Sequence, residues 1–156
     1  MTTGPNDLRV TRRFTASPER VFDAWLDPER ARRWLFTTPG GEMVRAETDP
    51  RVGGSFVFVD RRDGDSGRED IEHVGEYLEI DRPRRLVFTF SVPRYSPHVS
   101  RITVDIVPLG DGCELTLTHA DVLPEWASRT KDGWTTLLGQ LAHALGEVPA
   151  AASART

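Results

Sequence analysis

Between Glu42 and His119 apolar and polar residues exchange places at almost every step, in short runs broken by glycine, proline and acidic turns. Alternation with a period of two puts one side chain in water and the next in a core, so each run predicts a half-buried β-strand. The runs are Met43 to Thr48, Ser55 to Asp60, Ile71 to Ile80, Leu86 to Val92, His98 to Val107 and Glu114 to His119. Ile102, Val104 and Ile106 share one face, with Arg101, Thr103 and Asp105 on the other. One wet face and short hairpin turns, such as Asp63 to Gly67, predict an antiparallel sheet. Residues 8–15 alternate in the same way and predict an opening strand, although Arg12 interrupts its apolar side.

Two other segments follow the helical period. Ser17, Pro18 and Glu19 supply an N-cap, a first-turn proline and an acidic first turn, after which Val21, Phe22, Trp25 and Leu26 hold one face. Asp27 and Pro28 stop that helix and begin a second, which carries Ala31, Trp34 and Leu35 and is expected to run until just before Pro39. After a connecting segment from Asp121 to Arg129, Gly133 to Leu145 predicts a long helix with Trp134, Leu137, Leu138, Leu141 and Leu145 on one face. Burying such side chains is worth roughly 1.5–3 kcal/mol each, so that stripe needs a sheet to cover it. The order predicted is strand, two short helices, six strands and a long helix. This is an α+β chain with a curved antiparallel sheet wrapped around its last helix. Residues 8–146 are expected to form a single domain, with a disordered N-terminus over 1–7 and a flexible tail over 147–156.

Composition narrows the function. A 156-residue chain with 38% hydrophobic and 28% charged residues can bury one sizeable core, and no apolar run reaches the roughly 18 residues of a membrane span. A net charge of −4 argues against nucleic acid as a partner. Cys113 is the sole cysteine, so no internal disulfide forms. Residues 1–7 lack the charge and apolar run of a signal peptide, and a cytoplasmic location is expected.

Four local patterns, in order, resemble one known family. They are FTASPERVFDAWLDPERARRW (Phe14 to Trp34), ETDPRVGGSF (Glu47 to Phe56) and VGEYLEIDRPRRLVFTF (Val74 to Phe90). The fourth is GCELTLTHADV (Gly112 to Val122) followed by DGWTTLLGQL (Asp132 to Leu141). Together they resemble the helix-grip fold of the START-like or Bet v 1-like superfamily. The nearest branch is the bacterial one related to the C-terminal domain of the activator of Hsp90 ATPase. Two adjacent glycines, Gly53 and Gly54, also suit a tight strand-to-strand turn on their own account, and no lysine and helix follow to make a phosphate loop.

The resemblance implies a cavity between the last helix and the sheet that holds a hydrophobic or aromatic small molecule, in a carrier or sensor role. Candidate ligand-binding residues are the aromatics Trp34, Phe56, Phe58, Phe88, Phe90, Trp126 and Trp134, and the aliphatics Val104, Leu117, Leu138 and Leu141. His73, Tyr77 and His119 are the candidate polar members. His73 and Tyr77 share a strand face with Gly75, and His119 continues the buried face of Leu115 and Leu117. His98 and His143 are read as solvent-facing. The four histidines lack metal-ligand spacing, so neither a metal nor a cofactor is expected, and no catalytic set can be named. Asp49 and Arg51 are read as a turn-stabilising pair. Two other readings remain. One is a cyclase- or hydrolase-type enzyme using His73, Tyr77 or His119. The other, ranked last, is a co-chaperone-like regulator of an Hsp90-type ATPase. Homodimerisation through an edge strand is a further expectation for a small domain of this kind.

Overall fold

The computed structural model describes residues 7–38, 40–64, 67–95, 97–122 and 124–146. The expected tail over 147–156 and all but Asp7 of the expected N-terminal segment lie outside them. The chain opens with β1 (Leu8–Phe14), α1 (Pro18–Leu26) and α2 (Pro28–Ala31). Six strands follow: β2 (Glu42–Thr48), β3 (Ser55–Gly64), β4 (Gly67–Asp81), β5 (Arg85–Phe90), β6 (Ser100–Leu109) and β7 (Gly112–Ala120). A single 3₁₀ turn at Pro124–Trp126 leads into α3 (Ala127–Ala144). The strands make one antiparallel sheet in the order β1-β7-β6-β5-β4-β3-β2, so the α+β architecture read from the alternation is the one formed.

Local chemistry sets the helix boundaries. The Ser17 hydroxyl accepts from the Arg20 amide at 3.2 Å, and the Asp27 carboxylate accepts from the Glu29 amide at 3.0 Å, capping α1 and α2 in turn. The second helix is shorter than its apolar spacing suggests. After Ala31 three-residue steps, Arg33 to Arg30 and Trp34 to Ala31, mix with a four-residue one, Leu35 to Ala31, and Phe36 turns into the left-handed region at φ 61°. Trp34 and Leu35 are buried all the same, with the Trp34 indole donating to the Ala24 carbonyl at 3.0 Å.

The last helix, by contrast, starts six residues before the predicted Gly133, taking in residues assigned to the connection. Ala127 to Asp132 show no apolar periodicity because this first turn and a half stands away from the core, with Ala127 and Thr130 half-buried and the rest exposed. Further on, Trp134, Leu138, Leu141 and Ala142 are buried, while Leu137 and Leu145 are partly so. The strands also depart from their predicted ends. β3 and β4 extend beyond Asp60 and Ile71 as a charged hairpin arm, where Arg61 pairs with Asp70 at 2.8 Å. Solvent on that arm removes the need for apolar alternation. β5 ends at Phe90, leaving only a bridge between Ser91 and Val74, and β6 begins at Ser100.

The turn before β3 is built from the expected residues. Arg51 holds Asp49 at 2.9 Å, Gly53 adopts φ 89°, and a Cβ on Gly54 would stand 2.1 Å from the Asp49 carbonyl. Backbone bonds from Gly53 to Tyr77 and from Tyr77 to Gly54, each 2.9 Å, fasten this turn to β4. Cys113 is buried on β7, its thiol directed at the Ala16 carbonyl. Among the described residues no helix is long and apolar enough to cross a membrane.

Candidate ligand cavity

The sheet does not close fully on α3. A cavity of about 430 Å³ opens between the helix, the inner sheet face and the loop that follows α2. The loop contributes Phe36, Thr37 and Thr38; Arg62, His73, Phe90 and His119 come from β3, β4, β5 and β7; α3 adds Thr130, Asp132, Gly133, Trp134, Thr136 and Leu137. A smaller chamber of about 180 Å³ shares Phe90, His119 and Thr130 and reaches Tyr95, His98, Ser100 and Trp126.

One wall is a pile of parallel rings. Phe36 lies over His73 with centroids 4.6 Å apart and planes 7° from parallel, and over Phe90 at 5.0 Å and 15°. Trp134 meets Phe36 and Phe90 edge-on at 5.9 and 6.4 Å. Such geometries suit aromatic quadrupoles. They are held from two sides. Gln140 on α3 donates to the Trp34 carbonyl and the Thr37 hydroxyl, at 3.0 and 2.7 Å, and the Thr38 hydroxyl donates to the fully buried Asp60 at 2.8 Å. The left-handed backbone of Phe36, costly for a bulky residue, is therefore fixed by its surroundings.

Hydrogen bonds determine which nitrogen of each buried imidazole carries the proton. His73 Nδ1 stands 3.2 Å from the Phe58 carbonyl, which can only accept. Nδ1 therefore carries the hydrogen, and Nε2 is an acceptor with no hydrogen-bond partner among the described residues. For His119 the order is reversed. Its Nδ1 accepts from the Trp134 indole at 3.0 Å, and an indole can only donate, so Nε2 carries the hydrogen and gives it to Ser100 Oγ at 2.6 Å. The Ser100 hydroxyl in turn points to the Phe90 carbonyl at 3.4 Å. Burial pushes His73 and His119 down to about 4; the Phe58 carbonyl opposes this at His73, and the charge of His98 reinforces it at His119.

The residues nominated from the sequence separate into three groups. His73, Phe90, His119 and Trp134 line the main cavity, and Trp126 lines the smaller one. Phe56, Phe58, Tyr77 and Phe88 gather with Trp25, Leu35 and Leu86 around a void of only about 10 Å³. There burial, with Asp49 nearby, pushes the Tyr77 hydroxyl well above its usual range. Trp34, Val104, Leu117, Leu138 and Leu141 are fully buried in the core and line neither chamber. His98 and His143 are exposed, although His98 Nε2 reaches the Asp121 carbonyl at 2.7 Å.

Residues not nominated complete the walls. Arg62 was legible in principle, since Phe56, Phe58, Asp60 and Arg62 continue one period-two face; so was Ser100, two residues before Ile102. Phe36 had no such signal, because its direction depends on a left-handed backbone in a loop.

The family described as "Activator of Hsp90 ATPase homolog 1-like protein" matches over residues 15–146. The solved protein CV1439 from Chromobacterium violaceum is 30% identical, with 90% of this chain and 96% of that chain covered and a TM-score of 0.76. NE0264 from Nitrosomonas europaea is 23% identical over 92% of this chain and 96% of its own, with a TM-score of 0.75. The AHSA1-like protein from Aeromonas hydrophila is 18% identical over 90% and 92%, with a TM-score of 0.76. These last two establish likeness of fold alone. No curated protein matches the chain.

Proposed function

From the premise that this chain belongs to the family of activator of Hsp90 ATPase homolog 1-like proteins, whose fold is a ligand-binding one, we propose that it binds an aromatic small molecule beneath α3, as a carrier or sensor. The observation that carries this reading is the stack of Phe36, His73 and Phe90 beside a cavity of about 430 Å³. That volume falls within the roughly 300–1,000 Å³ typical of small-molecule sites. A core evolved only for packing would fill such a space, as it does around Phe56 and Tyr77.

A hydrolytic role is disfavoured by the same hydrogen bonds. A base acting on Ser100 needs a bare nitrogen facing it, but the His119 nitrogen facing Ser100 is the one that holds the proton. A cytoplasmic setting, expected from the lone cysteine, belongs to the same proposal.

Calorimetric titration with naphthol tests the reading. Naphthol is expected to bind the wild-type protein, and Leu137→Trp, which fills the cavity from α3, is expected to weaken it at least about tenfold while the circular dichroism spectrum stays unchanged. Absence of naphthol binding, or equal affinity in the filled variant, refutes it.

A further inference from the structure

Most polar atoms lining the cavity are already committed. The Trp134 indole is taken up by His119, and His119 by Ser100. The Thr38 hydroxyl is given to Asp60, and the Thr37 hydroxyl donates to the Trp34 carbonyl while accepting from Gln140. Thr130 and Thr136 carry hydroxyls that serve as donor or acceptor alike and set no preference. Three groups of fixed character remain, His73 Nε2, Arg62 and the exposed Asp132 carboxylate on α3.

Arg62 differs from its neighbour. Arg61 pairs with Asp70, whereas Arg62 has no carboxylate within 4.0 Å among the described residues. It is half-buried and held by Tyr95, donating to the phenol oxygen at 2.7 Å with its guanidinium 5.9 Å from the ring centroid. A phenol positions the cation without neutralising it, and leaves other N–H groups of the fork available. The one carboxylate lining the cavity, Asp132, is exposed on α3 and makes no ion pair with Arg62. A guanidinium held by an aromatic ring at the edge of an apolar cavity suits a carboxylate presented by a bound molecule.

We propose that the cavity takes a planar aromatic acid with a hydrogen-bond donor on its ring, the carboxylate meeting Arg62, the donor meeting His73 Nε2, and the ring lying against Phe36, Phe90 and Trp134. This assignment rests on the reading of the cavity as a ligand site and adds the polarity of the ligand to it. A phenolic hydroxyl or a ring N–H satisfies the donor requirement equally. A purely hydrocarbon guest leaves both groups unpaired, and a cationic one is repelled by Arg62.

Three probes separate the contributions by calorimetry: a hydroxynaphthoate, naphthoate and naphthol. The hydroxynaphthoate is expected to bind tightest. Arg62→Gln is expected to weaken both acids about tenfold or more and to leave naphthol unchanged. His73→Phe preserves the stack and removes the acceptor, so it is expected to weaken the two hydroxylated probes about fivefold and spare naphthoate. Acids that bind no tighter than naphthol, or an Arg62→Gln variant that treats all three alike, overturn the assignment. In that case naphthol binding that is lost in Leu137→Trp leaves the cavity itself standing. If none of the three binds, the cavity reading falls and the assignment with it.

Discussion

His119 sits between a donor that cannot accept and a hydroxyl that does both, so its tautomer is fixed without reference to any substrate. Ser100 is therefore expected to resist a fluorophosphonate probe, and mass spectrometry that found it labelled would reinstate a hydrolase. His119→Phe leaves the buried Trp134 indole nitrogen without an acceptor, which is expected to cost about 1–3 kcal/mol in urea unfolding. Acid acts on the same residues. Both buried imidazoles fall from 6.5 to about 4, so between these values the unfolded chain holds a proton at each that the folded chain does not. Their neutral burial is fully compatible with folding above pH 6.5. Stability then declines as pH falls toward 4, by on the order of 3 kcal/mol for each histidine, and the decline from these groups ends below that. Urea unfolding at neutral pH and near pH 4.5 checks the direction, and equal free energies contradict it. The inner-face position of His119 was legible from Leu115 and Leu117, because strand alternation transmits facing from one residue to the next. Its partners were not, since Ser100 and Trp134 reach it only through tertiary packing.

Among the elements, α3 divides into a part that its sequence announces and a part that it does not. From Trp134 onward the apolar stripe meets the sheet and is written in the 3.6 period, whereas Ala127 to Asp132 are helical by continuation. Gly139 lies in the interior of this helix, and a Cβ there meets nothing within 4 Å. Gly139→Ala is therefore expected to stabilise the protein by about 0.5–1 kcal/mol, with naphthol affinity unchanged because Gly139 does not line the cavity. Thermal unfolding reads the gain, and a lower midpoint contradicts it. The loop from Phe36 to Thr38 is the converse case. Its place is set by Gln140 and Asp60, residues distant in sequence, so no local pattern foretold that it would form a wall of the cavity.

At the scale of the whole molecule, the count of strands, their antiparallel order and the terminal helix were readable because each follows from one-dimensional periodicity. The cavity was not, since it depends on how far a curved sheet falls short of closing on a helix. The order of the strands carries a further consequence. β1 and β2 lie at opposite edges although they are neighbours in sequence, and β1 pairs with β7, bringing Thr11 to Thr116 across 105 residues. Strands β2 to β7 each find a partner in the strand made just before or after. During synthesis β1 thus has no partner in the sheet until β7 has left the ribosome. The entropy of closing that long loop predicts that β1 is the last strand to dock. In pulsed hydrogen exchange during refolding its amides are expected to gain protection after those of β3 and β4. Until β1 docks, the edge of the sheet along β7 is open.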